Sequence, residues 1–228
     1  MADGAPHPAG SVAMRFVALS DTHGLHAEPP VPEGDVLLFA GDHAGTGAPE
    51  EWWSFLAWLE RLPHPHKIVI AGNHDLRLRL ARYREQLEQS AVYLQDRSME
   101  VGGVIIHGSP WTPFIRGHWP FEANETQRRE SWAQISERTD IIVSHAPPLG
   151  VCDANRTDVL LGDPELTAML REWPSVHRTP RPRVVVCGHA HEGFGEGELA
   201  GVRVLNVAIC DDRYVAAHPV TIFDLERR

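Results

Sequence analysis

The sequence predicts an α/β fold, and three observations carry that prediction. Short apolar runs rich in β-branched residues alternate with stretches of helical periodicity along the 228 residues. The runs are short and bounded by Gly, Asp or Pro, as buried strands are. The last third is rich in strands, so the sheet system is larger than a single doubly wound sheet.

In chain order, MRFVALS (14–20) and DVLLFA (35–40) read as buried strands. PEEWWSFLAWLERL (49–62) reads as a helix. Pro49 sits near its first turn, acidic residues follow, and Trp52, Phe55, Leu56 and Leu59 share one face. KIVIA (67–71) is a strand, and residues 76–89 look helical. GVIIHGSP (103–110) is a strand closed by a proline turn. NETQRRESWAQI (124–135) is a helix with Asn124 as its N-cap. DIIVSH (140–145), RVVVCGH (183–189), VRVLNV (202–207) and PVTIFDL (219–225) are strands. Trp52, Trp53 and Trp58 are expected to pack the first helix. VHRTPRPR (176–183) reads as a loop inside one domain spanning 14–228, with residues 1–13 as a loosely held tail.

Composition limits the partners. Hydrophobic residues make up 43% of the chain, enough for a core. No segment approaches the ~20 apolar residues of a membrane helix, and the start lacks a signal-peptide pattern. Cys152, Cys187 and Cys210 are an odd set without a CxxC pair, which suits reduced thiols and a cytoplasmic location. The formal charge of −10, from 31 acidic against 21 basic residues, disfavours polymeric nucleic acid, whose binding is led by phosphate neutralisation. Oligomeric state is left open. Of the 14 histidines, His7, His64, His66, His177 and His218 lie in tails or proline-rich loops and are expected to be solvated.

The informative residues close the strands. VALS runs into Asp21-Thr22-His23, LLFA into Gly41-Asp42, and VIA into Gly72-Asn73-His74-Asp75. IIVS runs into His145, and VVVC into Gly188-His189-Ala190-His191. In α/β sheets, sites form beyond the carboxyl ends of strands. Each terminus alone is ordinary turn chemistry; five of them after apolar runs point to one crevice. In extended backbone, residues two apart face the same way, so Asp21 with His23 and His189 with His191 are expected to enter it as pairs. Oxygen and nitrogen donors suit Mn, Fe or Zn. Asp21, His23, Asp42, Asn73, His145, His189 and His191 exceed the needs of a single ion and fit two if Asp42 bridges them. Such paired sites act on phosphate esters.

The motifs DTH, GD, GNHD, SHAPP and GHAH, in this order over 21–191, resemble the calcineurin-like metallophosphoesterases. LSDTHGLH, PEGDVLLFAGD, RLPHPHKIVIAGNHD, VGGVIIHGSPWTP, HAPPLG and HEGFG resemble the metallophosphoesterase-domain-containing (MPPED) subgroup over almost the whole chain. The resemblance implies a four-layer α/β/β/α sandwich with a dimetal site. It implies that Asp21, His23, Asp42 and His191 hold one ion, and Asp42, Asn73, His145 and His189 the other. His74 would contact the phosphate and protonate the leaving oxygen, with Asp75 orienting it. Some MPPED members carry Gly at the position of His189, which weakens the second ion; His189 here implies a competent pair. His43 replaces the usual apolar residue after the bridging Asp, and is either packed or turned to substrate. Trp111 and Trp119 either stack a nucleotide base or close the core. The expected activity is hydrolysis of small phosphodiesters, 2′,3′- or 3′,5′-cyclic nucleotides among them, by in-line attack of a metal-bridging hydroxide. The alternatives are a phosphomonoesterase with the same site and a non-catalytic nucleotide sensor or scaffold.

Overall fold

A computed structural model describes residues 13–176 and 182–226. Most of the expected tail (1–12), together with His7 and His177, lies outside the described residues. Ala13, expected in the tail, instead opens strand β1 opposite Glu226.

Alternation along the strands builds the layers. In β1 (Ala13–Leu19), Phe16 and Ala18 face one way while Val17 and Leu19 face the other. β2 (Val36–Phe39) and β3 (His66–Val69) follow in parallel beside it. A short β4 (Val92–Tyr93) and the antiparallel β11 (Thr221–Glu226) complete a sheet of order β11-β1-β2-β3-β4. The second sheet joins β5 (Arg97–Val101), β6 (Val104–Ser109), β7 (Ile141–Ser144), β8 (Val184–Cys187), β9 (Gly195–Leu199) and β10 (Val202–Asn206). Its order is β5-β6-β7-β8-β10-β9, parallel in the middle and antiparallel at both edges.

Phe16, Leu38, Ile68 and Ile70 meet Ile106, Val143, Val186 and Leu205 between the sheets. The outer face of the first sheet is covered by α1 (Pro49–Arg61) through Trp52, Phe55, Trp58 and Leu59. The outer face of the second is covered by α3 (Glu125–Trp132) and α4 (Pro164–Val176) through Trp132, Leu166, Leu170 and Trp173. The result is the expected α/β/β/α sandwich. Asn124 caps α3 as expected, accepting from the Gln127 N–H at 2.8 Å.

Several expectations need correction. The helix at 76–89 is a 3-10 turn (Leu76–Arg79) followed by α2 (Ala81–Leu87). Trp53 does not pack α1, being 56% exposed on its outer face. His64 is buried, not solvated, and His218 is half-buried with its ring stacked on Phe194 at 4.3 Å. No helix among the described residues is long and apolar enough to cross a membrane. Cys152, Cys187 and Cys210 are free thiols.

Beyond their last paired residues the two sheets touch. The Ser20 N–H donates to Val207 C=O and the Ile209 N–H to Ser20 C=O, both at 3.0 Å. That seam brings the carboxyl ends of β1, β2, β3, β7 and β8 to one crevice.

Candidate metal centre

The strand-end residues converge. His145 Nε2 lies 3.3 Å from Asp42 Oδ2 and 3.1 Å from Asn73 Oδ1. His191 Nε2 lies 3.5 Å from Asp21 Oδ1 and 3.1 Å from His23 Nε2. His23 Nε2 is 4.0 Å from Asp42 Oδ2. The His189 ring faces that of His145 at 5.1 Å, and the His189 backbone N–H donates to Asp21 Oδ2 at 2.9 Å. Among the described residues, three overlapping groups could hold a metal ion: Asp21, His23 and His191; Asp21, Asp42 and His145; and His23, Asp42 and His74.

Backbone geometry achieves this differently from the expected extended pairs. Asp21 (φ 52°), His23 (φ 45°), Asp42 (φ 58°) and His189 (φ 65°) all adopt left-handed conformations. Side chains rarely do this, and such strain collects at functional sites. The turns reverse the chain sharply past each strand, so the partners converge from tight loops rather than from a shared strand face. Two glycines make room. A Cβ on Gly72 would collide with Asp42 Oδ1 and lie 2.5 Å from His145 Cε1. A Cβ on Gly188 would collide with Asp21 Oδ2 and Ser20 Oγ. Gly72→Ala is therefore expected to abolish metal binding with little loss of secondary structure. Metal titration beside circular dichroism checks this; normal metal uptake would contradict it.

The imidazoles are aimed. Nδ1 of His23, His145, His191 and His74 lies on a backbone carbonyl: Ala44 at 3.0 Å, Ala40 at 2.8 Å, Asp211 at 3.0 Å and Gly45 at 2.9 Å. A carbonyl only accepts, so each Nδ1 carries the hydrogen and each Nε2 is turned to the crevice. Metal-ligating histidines are held this way. The facing Nε2 atoms of His23 and His191 then repel unless a proton or a cation lies between them.

Burial opposes the charge on every group here, and the pairing of Asp21, Asp42, His145 and His191 overcomes it at those four. Burial disfavours ionised Asp21, but the His191 hydrogen bond and the His145 charge outweigh it and bring its pKa down to about 2. Asp42 is held well below the usual carboxylate range, burial being outweighed by the charge and hydrogen bond of His145. Burial pushes His145 down, but Asp42 lifts it to about 10. Burial likewise opposes His191, and Asp21 lifts it to about 9. His189 falls to about 3, through burial and then the His145 charge. Burial also lowers His23. The buried aspartates thus demand positive charge, and protonated His145 and His191 supply it in the metal-free protein. Neutral His23 and His189 keep lone pairs for a ligand role. This mixed oxygen and nitrogen set fits borderline divalent ions.

The remaining site expectations divide. His74 lines the cleft, its N–H bonded to Asp42 Oδ1 at 2.7 Å. Asp75 does not orient it: Gly45 C=O holds the His74 ring. The buried Asp75 carboxylate instead accepts from the N–H groups of Asp42, Gly72 (both 2.8 Å) and Ala44 (3.2 Å), tying the Asp42 loop to the Asn73 loop. His43 is no wall of the cleft. It is 1% exposed, stacked on Phe55 at 4.5 Å, with Nδ1 2.7 Å from Asp75 Oδ1. Trp111 packs with the outer core of the first sheet and donates from its indole to Asp96 Oδ2 at 2.7 Å. Trp119 does line the cleft, its ring 4.5 Å from that of His74.

The cleft is about 280 Å³ and has walls the sequence did not announce: Arg116, Asn155, Leu161, Asp212 and Tyr214. The Tyr214 ring sits 4.7 Å from that of His23 and 5.4 Å from that of His191. These residues come from loops after the strands, where no periodicity flags them.

A double α/β sandwich with Asp, Asn and His gathered at converging strand ends defines the metallophosphoesterase class. The calcineurin-like phosphoesterase family matches residues 14–193. Metallophosphoesterase domain-containing protein 1 of Homo sapiens is 35% identical, over 97% of this chain and 73% of that protein. A probable cyclic nucleotide phosphodiesterase of Synechococcus sp. is 25% identical over 72% of this chain and 60% of its own. The solved structure of TT1561 from Thermus thermophilus superposes with a TM-score of 0.56 at 14% identity, covering 95% of this chain and all of that one. The chain belongs to the calcineurin-like metallophosphoesterase family, and its similarity to the human protein is of the MPPED type.

Proposed function

We propose that this protein is a dimetal-dependent hydrolase of small phosphodiesters, with cyclic nucleotides as candidate substrates. The observation that carries the reading is the set of imidazoles locked by carbonyls at Nδ1, with the His23 and His191 Nε2 atoms facing at 3.1 Å. Only a shared positive charge reconciles that arrangement with two buried carboxylates. Asp21, His23, Asp42 and His191 would hold one ion, and Asp42, Asn73, His145 and His189 the other. When bound, two divalent ions supply a nucleophile at neutral pH and neutralise charge on the phosphoryl oxygens.

The chain's own groups do the rest. Gly45 C=O fixes His74 with Nε2 free toward the cleft. As imidazolium, that nitrogen donates a proton to the leaving oxygen. Trp119 beside it offers a flat face for a base, and base–aromatic stacking is worth ~1–3 kcal/mol. The similarity to a probable cyclic nucleotide phosphodiesterase supports the diester reading. We place the protein in the cytoplasm, in keeping with its three free thiols.

Hydrolysis of bis-p-nitrophenyl phosphate with Mn, lost on chelation, is the direct test. A panel of 2′,3′- and 3′,5′-cyclic nucleotides and simple monoesters then ranks the substrates. A chain that binds nucleotides but turns over nothing with any divalent ion would be a sensor.

Metal uptake should also release protons. His145 (about 10) and His191 (about 9) are protonated in the metal-free chain near neutrality, and a ligand nitrogen must be deprotonated. Raising pH removes the competing protons, so apparent Mn affinity should strengthen between about pH 6 and pH 9. Calorimetry in buffers of different ionisation enthalpy reads the release. A pH-independent affinity would argue against these histidines as ligands.

A further inference from the structure

We propose that the substrate carries a second phosphate, which seats on Arg79 and Arg84 in a pocket adjoining the cleft. This rests on the phosphoesterase reading above and narrows its substrate class. The pocket is about 400 Å³, and Trp119 is a wall of both cavities. Arg79, Arg84 and His118 line it together with the aromatic face of Phe114.

Both arginines keep donors to spare. Arg84 donates from Nη1 to the carbonyls of Leu78 (2.8 Å) and Arg79 (2.9 Å). Among the described residues, neither Arg84 nor Arg79 forms an ion pair with a carboxylate. Glu122 also lines the pocket, but its carboxylate is engaged by the N–H groups of Ile115 (2.6 Å), Arg116 (2.9 Å) and Trp119 (3.0 Å). It braces the loop that carries Trp119 and keeps its charge, so the two arginines of the lining exceed its carboxylates by one. Two guanidinium groups without carboxylate partners, in a chain of charge −10, concentrate positive potential at one spot beside the site. Guanidinium is the side chain suited to planar, bidentate phosphate recognition.

The placement ties the pocket to the chemistry. Arg79 follows His74 by five residues, through the 3-10 turn Leu76–Arg79. The segment that carries the proposed proton donor therefore also carries one arginine of the anion seat, and Arg84 follows on α2. A pocket of this volume suits one phosphorylated group, not the long basic track a polymer needs.

The test compares an adenylyl dinucleotide with its 5′-phosphorylated form, by calorimetric binding to the full chain with Mn and with chelator. The phosphorylated form should bind roughly tenfold or more tightly, as a charge-assisted contact implies. Raised salt should shrink that ratio. Arg79→Gln should bring it to about one while leaving the unphosphorylated affinity and bis-p-nitrophenyl phosphate turnover unchanged. Arg84→Gln should act alike; if it unfolds, Arg79→Gln decides alone. Equal affinities in the wild type, or a ratio kept in Arg79→Gln, would overturn the proposal. So would a long oligonucleotide binding far more tightly than the phosphorylated dinucleotide. Failure of the wild type to hydrolyse bis-p-nitrophenyl phosphate would count against the phosphoesterase reading alone, since the binding ratio is still measurable.

Discussion

His74→Ala is expected to lower kcat by about 10²–10⁴ while metal content stays at the wild-type level. The separation follows from where the ring sits. His74 Nδ1 is spent on Gly45 C=O, and the ring stands on the cleft wall against Trp119. On the proposed reading its Nε2 would hand a proton to the leaving oxygen, and its removal would delete that transfer. The Asp42 carboxylate keeps its contact with the His74 backbone N–H, which Ala retains. Esters with good leaving groups need little protonation, so p-nitrophenyl esters should suffer less than cyclic nucleotides. Equal losses on both, or a fall in bound metal, would move His74 from proton donor to ligand, a role its nearness to His23 and Asp42 makes worth testing.

Asp42→Ala is expected to remove both ions and all turnover. Asp42 lies 3.3 Å from His145 and 4.0 Å from His23, and on the proposed reading it is the ligand common to both ions. Asp42 is itself in the left-handed region, which Ala tolerates poorly. Asp42→Asn is the companion variant, because Asn accepts that conformation and can still receive the His74 N–H. Both variants should read near zero metal by mass spectrometry. Asn retaining two ions would show that the bridging charge is dispensable.

The layers were legible because most of their strands are buried on both faces. VVVC and IIVS can be little else, and all their residues are buried. The antiparallel edges of the second sheet were not legible, whereas β11 at the edge of the first was read from PVTIFDL. RSMEV in β5 and GEGEL in β9 lack an apolar run, and only their pairing with β6 and β10 makes them strands. α4 was also missed, although Leu166, Leu170 and Trp173 recur at helical spacing, because Pro174 interrupts the pattern. At the site, the side-chain types were readable from the strand ends, while the left-handed turns that aim them were not. Asp75 and His43 show the limit most plainly. A carboxylate beside His74 suggests a dyad, yet the packing against Phe55 turns His43 and Asp75 toward each other. Arg116 and Tyr214 reach the cleft from loops whose positions only the assembled sheets determine.

The central claim is that Asp42 is shared by two cations seated between the converging strand ends. Anomalous diffraction from crystals of the Mn-loaded protein tests it most directly. The account predicts two peaks about 3.5–4 Å apart, with Asp42 in contact with both. A single peak, or peaks remote from Asp42, His145 and His191, would contradict it.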